Sequence, residues 1–545
     1  MSTRSLLAAY ARIVTALGES LVSVAWRYER WLCRPARVVP ASLLLFTAFL
    51  ALRVNAARAP EFLGGYDEGL LFTDAFLMNR GREIYRDFYI NYPPGIVQII
   101  RAFMALDWPP IWSARVLTLV VRLGSAVLAG VLVRKAQQQR GLCLATMTVI
   151  LILQAGLGPT LFAYLVAVLW ILASMLVWMQ LRATAWHAIL SGMLFSAISY
   201  IRHDVFVYAL ALFGPLELGS CVLRRRSLWM RTPRQAALFA ASIVVTTLAL
   251  WSGPLRHAGI SRIAHDLVID QAQRTMPGRV LPLPYFSGWL PIPTFELSVP
   301  IAISDHGRLG LLLAAGALLA TLLVPLRLLA RASQTRSARI SFLLCGFALT
   351  TLPQALQRTD YSHVAFGIPL TVAAVFCMFS SRISAPLLAA ALLPWFMARP
   401  HFSTLEEIEK LWAVRDDVRF VSADRALIAQ FVEKEVGPDE PIYVGCESHS
   451  QAMISAIDLY YVTKRVGATR YMQFDPGTVT SPDGQAEMIA DLERTQPLIA
   501  LRSPSCAWYE PNASQLPGAG LLDAYFASHY ELSNRLPGFN VWRRK

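Results

Sequence analysis

The stretch GGYDEGLLFTDAFLMNRGREIYRDFYINYPPG, Gly64 to Gly95, follows the first strongly apolar segment of the chain and is far more polar than its surroundings. It gathers Asp67, Glu68, Asp74, Glu83 and Asp87 beside Arg80, Arg82 and Arg86. The whole chain of 545 residues is 55% hydrophobic and only 16% charged, with a mean hydropathy of +0.45. That balance lies outside the range of soluble globular domains and reads as a membrane protein. A net charge of +14 would suit nucleic acid if it covered one soluble face. The basic residues instead sit between apolar segments, where membrane topology accounts for them.

A helical span needs about 20 mostly apolar residues, a few less where thinning or neighbouring helices compensate. On that length the sequence holds about eleven spans, near 40–57, 112–133, 141–157, 160–181, 187–201, 205–223, 235–252, 309–328, 340–356, 365–380 and 384–398. Basic connectors follow the second span (Arg134, Lys135, Arg140), the sixth (Arg224, Arg225, Arg226, Arg231, Arg234) and the eighth (Arg327, Arg331, Arg336, Arg339). All fall on one side, which the positive-inside rule makes the cytoplasm. The segment 1–38 shares that side, and its interspersed Arg12, Arg27, Glu29 and Arg30 read as an amphipathic surface helix in place of a cleaved leader. The exoplasmic face receives the loops 58–111, 253–307 and 357–367 and the region after 398, so the acid-rich loops gather there. The scarcity of lysine among the basic residues fits a GC-rich bacterial genome, and a bacterial inner or plasma membrane is the expected location.

Three domains follow: the segment 1–38, a transmembrane domain over 39–398, and an exoplasmic α/β domain over 399–545. In the last, helix-like LEEIEKLWAV, a helical pattern over 449–464, GQAEMIADLERT and LLDAYFASHY alternate with strand-like PIYVGC, RYMQF, PLIAL and FNVWRR. Such alternation predicts a mostly parallel sheet. No glycine-rich phosphate loop occurs in it, so its expected role is to cover or orient something. Of the seven cysteines, only Cys446 and Cys506 share a polar region, where an oxidising compartment would let them pair if they meet.

Four places carry candidate chemistry. Asp67 and Glu68 follow a Gly-Gly turn, and the spacing after them predicts a helix along the interface with the acids at its start. Acids this close to a bilayer are costly unless hydrated, paired or functional, and an ion pair with Arg80 or Arg82 is the plain alternative. YRDFYINYPPG closes the loop with a stiff turn at Pro93 and Pro94. LQRTDYSHVAFGIP puts Arg358, Asp360 and His363 outside a later span, where arginine suits a phosphate. YIRHDVFVY puts Arg202, His203 and Asp204 at another exoplasmic turn, and Arg115 opens the second span from that side, at a depth where snorkelling to lipid phosphates also serves. His257, His265 and Asp266 are too irregularly spaced to read as a metal site.

Together, the Asp67-Glu68 pair, YRDFYINYPPG, RTDYSH and the stretch from GPDEPIYVGCESHS to RYMQFDPG resemble the GT-C superfamily of polytopic glycosyltransferases, in particular its protein O-mannosyltransferase and aminoarabinose transferase branch. The resemblance implies a GT-C-like membrane domain with an exoplasmic C-terminal domain, a polyprenyl-phosphate sugar donor, and transfer with inversion. It implies Asp67 as catalytic base, with Glu68 beside it and Asp87 as the second first-loop acid, holding the acceptor or a cation. Arg358, Arg202, Arg115 and His363 are the candidates for the donor phosphate. The aminoarabinose branch has a lysine before its two prolines where this chain has Tyr92, which removes one phosphate partner.

Two acids facing a phosphate suit Mg²⁺ or Mn²⁺, and arginine alone also serves, so the metal stays open. The expected partners are a polyprenyl-phosphate-linked sugar, a glycan, lipid or protein acceptor, and the bilayer; nucleic acid is not among them. A lipid or sugar transporter of the envelope is the alternative, and it predicts inverted repeats with charges near the bilayer midplane. Arg122 lies inside a span, but the sequence shows no matching halves.

Overall fold

A computed structural model describes residues 66–137, parts of 143–157, 160–179, 184–224, 232–279, 336–357, 363, 365–378, 421–450, 454–504, 506 and 516–545. The segment 1–38, the spans expected over 40–57, 309–328 and 384–398, the helix-like LEEIEKLWAV, and Arg358 with Asp360 lie outside the described residues. The chain divides into two compact units. One comprises Met1–Arg58, Leu117–Thr247 and Leu283–Leu411, the other Ala59–Val116, Leu248–Pro282 and Trp412–Lys545.

In the first unit, helices Ala163–Trp178, Ala185–Ile201, His203–Arg224, Arg336–Gln357 and Ile368–Met378 coincide with five of the expected spans. Helices Pro110–Gln137 and Pro233–Ala264 coincide with two more. Among the described residues, Pro110–Gln137 and Pro233–Thr275 are long and apolar enough to cross a membrane. Helix contacts use small and polar groups as well as apolar ones. The Ser174 and Ser191 hydroxyls lie 2.9 Å apart and those of Ser196 and Thr247 2.8 Å apart, exchanges that suit helix packing in lipid. Phe195 meets Phe206 and Phe347, and Phe347 meets Phe213 at 4.7 Å between ring centres. The turn expected at Arg202 is present: its φ of −149° and ψ of 89° part the two helices on either side.

The loop expected from residue 253 starts later than the sequence suggests. Pro254 is accommodated inside helix Pro233–Ala264, and a break comes at Gly259, whose φ of +76° suits glycine. Helical structure then resumes through His265–Ile269, Gln271–Thr275 and Met276–Arg279. Asp266 and Asp270 on these turns are buried.

The second unit holds the first-loop helix, Asp67–Asn79, and the C-terminal domain. That helix forms as expected, but it is buried among protein and not along one face only: Glu68, Leu70, Phe72, Ala75, Phe76 and Met78 are all buried. Phe72 and Phe76 meet the ring of Tyr461 at 5.7 and 6.5 Å. Thr73 donates to the carbonyl of Ile457 at 2.8 Å.

The sheet of the C-terminal domain has four strands, β1 (Tyr443–Cys446), β2 (Ile499–Ser503), β3 (Tyr530–Leu536) and β4 (Phe539–Arg544), in the order β1-β2-β4-β3. Among these four strands β1 and β2 pair in parallel, while β2 with β4 and β4 with β3 are antiparallel. The expected mostly parallel sheet is therefore corrected. The cause is a hairpin: β3 and β4 are joined by a tight turn at Gly538, φ +72°, so the last strand returns antiparallel with no crossover. RYMQF is likewise not a strand but a buried irregular segment, and among the described residues of the helical pattern over 449–464, Asp458–Thr463 is the part that is a helix. Helices Pro482–Thr495 and Leu521–His529 stand where expected, the first capped by Ser481 with Pro482 at its first position. Tyr89 of the first loop belongs to the same buried cluster as Tyr443, Tyr471, Phe474, Met488 and Phe526. Cys446 and Cys506 form a disulfide, with Cα atoms 5.6 Å apart.

Candidate functional site

Asp67 is exposed at the first position of its helix, where the free amides of the first turn favour a carboxylate. Glu68 points the other way. It is 3% exposed and sits in a two-pronged ion pair with Arg115, Nε to Oε1 at 3.0 Å and Nη2 to Oε2 at 2.7 Å. The structure thus joins two of the sequence-predicted residues, Glu68 and Arg115. Seven positions after Asp67, Asp74 is buried with no hydrogen-bond partner for Oδ2 among the described residues, and burial pushes its carboxyl well above the usual range.

Asp87 closes a local turn. Its carboxylate accepts from Arg86 Nε and Nη2 at 2.9 and 2.8 Å and from the Glu83 amide at 2.8 Å. Those hydrogen bonds, Arg86 first, hold its carboxyl below the ordinary range. Glu68 and Asp87 each engage an arginine, and among the described residues no three His, Cys, Asp or Glu side chains gather as a metal-ligand group. The described acids do not fit a divalent metal.

In the other unit, Arg202 grips Asp204 with Nε to Oδ1 at 2.8 Å and Nη2 to Oδ2 at 2.5 Å. Its guanidinium lies 4.2 Å over the ring of Tyr164, whose hydroxyl donates to Asp204 at 3.1 Å. Tyr164 stacks on Phe366 at 5.5 Å, and His363 meets the same Phe366 edge-on at 5.7 Å. Arg202 and His363 therefore belong to one cluster, built on the break between two helices and an aromatic stack.

The sequence reading missed a polar core in the second unit. Asp475, 1% exposed, accepts from the Tyr66 hydroxyl at 3.1 Å and from Gln473 Nε2 at 2.7 Å, and Arg279 lies 3.7 Å away. Asp270 accepts from Tyr89 at 2.7 Å and from Thr478 at 3.1 Å, with Arg274 at 3.3 Å. Asp266 pairs with Arg470, which also donates to the carbonyl of Tyr85 at 3.0 Å. Tyr85 has φ +67°, a costly conformation for a bulky residue, and it is held by that donor and by its own hydroxyl on the Tyr92 carbonyl at 2.8 Å. Gly477, φ +86°, backs onto the carbonyl of Arg274, where an added Cβ would come within 2.2 Å. One signal was legible beforehand: Arg262 and Asp266, like Asp270 and Arg274, stand four residues apart.

No protein-family model matches this sequence, and no curated protein matches it. Solved structures do. The chain has the GT-C fold. ArnT from Cupriavidus metallidurans, in a crystal structure bound to undecaprenyl phosphate, aligns over 92% of this chain and 96% of its own at 14% identity, with a TM-score of 0.51. The oligosaccharyltransferase AglB from Archaeoglobus fulgidus, in complex with an inhibitory peptide and a dolichol-phosphate, covers 87% of this chain and 70% of its own at 11% identity, with a TM-score of 0.46. At 14% identity the likeness to ArnT is one of fold.

Proposed function

We propose that the chain is a membrane glycosyltransferase that moves a sugar from a polyprenyl-phosphate donor to an acceptor on the exoplasmic face, with inversion and with Asp67 as catalytic base. The observation that carries this reading is the GT-C fold aligned along almost the whole of both chains, with an exposed aspartate opening the first-loop helix. That ArnT is seen with undecaprenyl phosphate supports a lipid-phosphate donor here as well.

In this reading the acceptor oxygen or nitrogen attacks the anomeric carbon from the face opposite the phosphate. Asp67 takes the acceptor proton as the new bond forms. The bond between the anomeric carbon and the phosphate oxygen breaks, and its electron pair leaves with the polyprenyl phosphate. Cations must offset that charge. Arg358, Arg202 and His363 are proposed for this duty, with Arg202 exchanging one prong of Asp204 for phosphate. Arg115, already forked onto Glu68, fits better as the group that sets the residue next to the base. Asp87 is proposed for the acceptor.

The test is sugar transfer from membranes carrying wild type, Asp67→Asn and Arg358→Ala, with a panel of polyprenyl-phosphate sugars and release of the free lipid phosphate as readout. The reading expects turnover by wild type and a loss of at least a few hundredfold in folded Asp67→Asn. Near-normal rates in Asp67→Asn would move the active site elsewhere. Lipid movement without release of lipid phosphate would make the chain a transporter.

A further inference from the structure

The residue before the candidate base is held by a segment of the C-terminal domain. The Tyr66 hydroxyl donates to Asp475 Oδ1 at 3.1 Å and approaches the Phe474 carbonyl at 3.2 Å. Gln473 Nε2 donates to Asp475 Oδ2 at 2.7 Å and reaches the Tyr66 hydroxyl at 3.3 Å, and Asn91, near the end of the same first loop, donates to Oδ2 at 3.4 Å. Arg279 lies over the Tyr66 ring at 5.9 Å. A fully buried carboxylate is an expensive group with which to fasten one tyrosine. If the only requirement were cohesion of the unit, the apolar contacts of the same helix already meet it: Phe72 and Phe76 pack on Tyr461, and Tyr89 lies in the common core. What the polar contact adds is direction. It fixes where the chain enters the helix, one residue before Asp67, whereas the apolar contacts lie a turn or more further on.

We propose that Asp475 is a positioning residue: through Tyr66 it fixes the backbone that presents Asp67, so the C-terminal domain governs the rate of the chemical step. This rests on the reading of Asp67 as the base. A misplacement of about 1 Å at a reacting group costs on the order of 100-fold in rate. Losing the hydroxyl tether is therefore expected to lower kcat by roughly 10- to 100-fold and to leave KM for the lipid donor within about twofold.

The experiment compares Tyr66→Phe, Asp475→Asn, their double variant, Thr73→Val and Asp67→Asn in the full-length protein, with the panel member that wild type turns over. Thr73 tethers the same helix to the Ile457 carbonyl but six residues beyond the base. The proposal expects Tyr66→Phe and Asp475→Asn to lose kcat with KM retained, the double variant to be no slower than the slower single, and Thr73→Val to unfold earlier while keeping kcat. Amide hydrogen exchange over the first helical turn, measured without substrate, rises in the two tether variants and not in Thr73→Val.

Two results overturn it while leaving the base in place. One is an inactive Asp67→Asn with normal kcat and unchanged exchange in Tyr66→Phe and Asp475→Asn. The other is an equal loss of kcat in Thr73→Val, which would reduce the tether to general stiffening of the helix. Turnover by Asp67→Asn removes both readings together.

Discussion

Replacing Arg115 with methionine keeps most of the side-chain volume and removes the charge that Glu68 faces. The two groups meet at 2.7 and 3.0 Å, and their side chains are 12% and 4% exposed, so the carboxylate left behind has little access to water. Breaking such a pair from one side costs about 3–5 kcal/mol, and the partial exposure of Arg115 puts the expected loss near the lower figure. Glu68→Gln, which removes the carboxylate charge from beside the arginine, is expected to cost less, because a guanidinium on a flexible stem can turn toward water. The double variant Arg115→Met/Glu68→Leu leaves no charge behind and is expected to recover most of the loss, since apolar replacement of a whole buried pair is often neutral. The assay is unfolding in mixed micelles by a graded denaturing detergent, followed by tryptophan fluorescence, with the four proteins forming a double-mutant cycle. Single variants within about 0.5 kcal/mol of wild type, the range of ordinary surface substitutions, would refute the reasoning.

Acid should weaken the C-terminal domain through His449. It is buried between the Tyr443 hydroxyl and Asp523, each at 2.6 Å, and burial holds its pKa below the ordinary 6.5. The unfolded chain therefore takes up the proton first. This contribution to stability is complete above about pH 6.5 and is lost as pH falls from there through the folded pKa, and a thermal-unfolding series in pH should be flatter for His449→Gln than for wild type. The disulfide closes a loop with a separation of 60 residues, and removing it by Cys446→Ala/Cys506→Ala is expected to cost up to about 4 kcal/mol, read from the shift in the same unfolding curve. Gly69→Ala sets a Cβ 2.8 Å from that of Asp458, where backbone stands close behind, and is expected to destabilise by about 1–3 kcal/mol and to lower transfer activity.

Much of the helical part was legible because hydropathy and length are local signals. Seven expected spans fall on helices, and the break at Arg202 was marked by the charged triplet Arg202-His203-Asp204. The helix after Gly65 was legible from its spacing, but not its burial, because the residues that cover it lie near 457–461. Sheet direction failed for the same reason. Alternation of helices and strands suggested parallel pairing, while the hairpin between β3 and β4 lay hidden in HYELSNRLPGF, where exposed polar residues mask the first strand. Among the candidate site residues, Glu68, Arg115, Arg202 and His363 stood out by type alone, while their contacts with each other, with Asp204 and with Phe366 needed the fold. Asp475 and the tyrosine on Asp270 escaped notice because the hydroxyls that these carboxylates hold, Tyr66 and Tyr89, lie 409 and 181 positions away.

The tether at Tyr66 also sets an order in time. Tyr66 and Asp475 are 409 positions apart, and Thr73 and Ile457 are 384 apart. At about 5–20 residues per second, a ribosome reaches the second partner roughly 20–80 s after the first. Throughout that interval the loop that carries Asp67 has left the ribosome without the residues that hold it. A newly made chain would then insert its helices well before its first loop settles, and activity would be the last property to arrive.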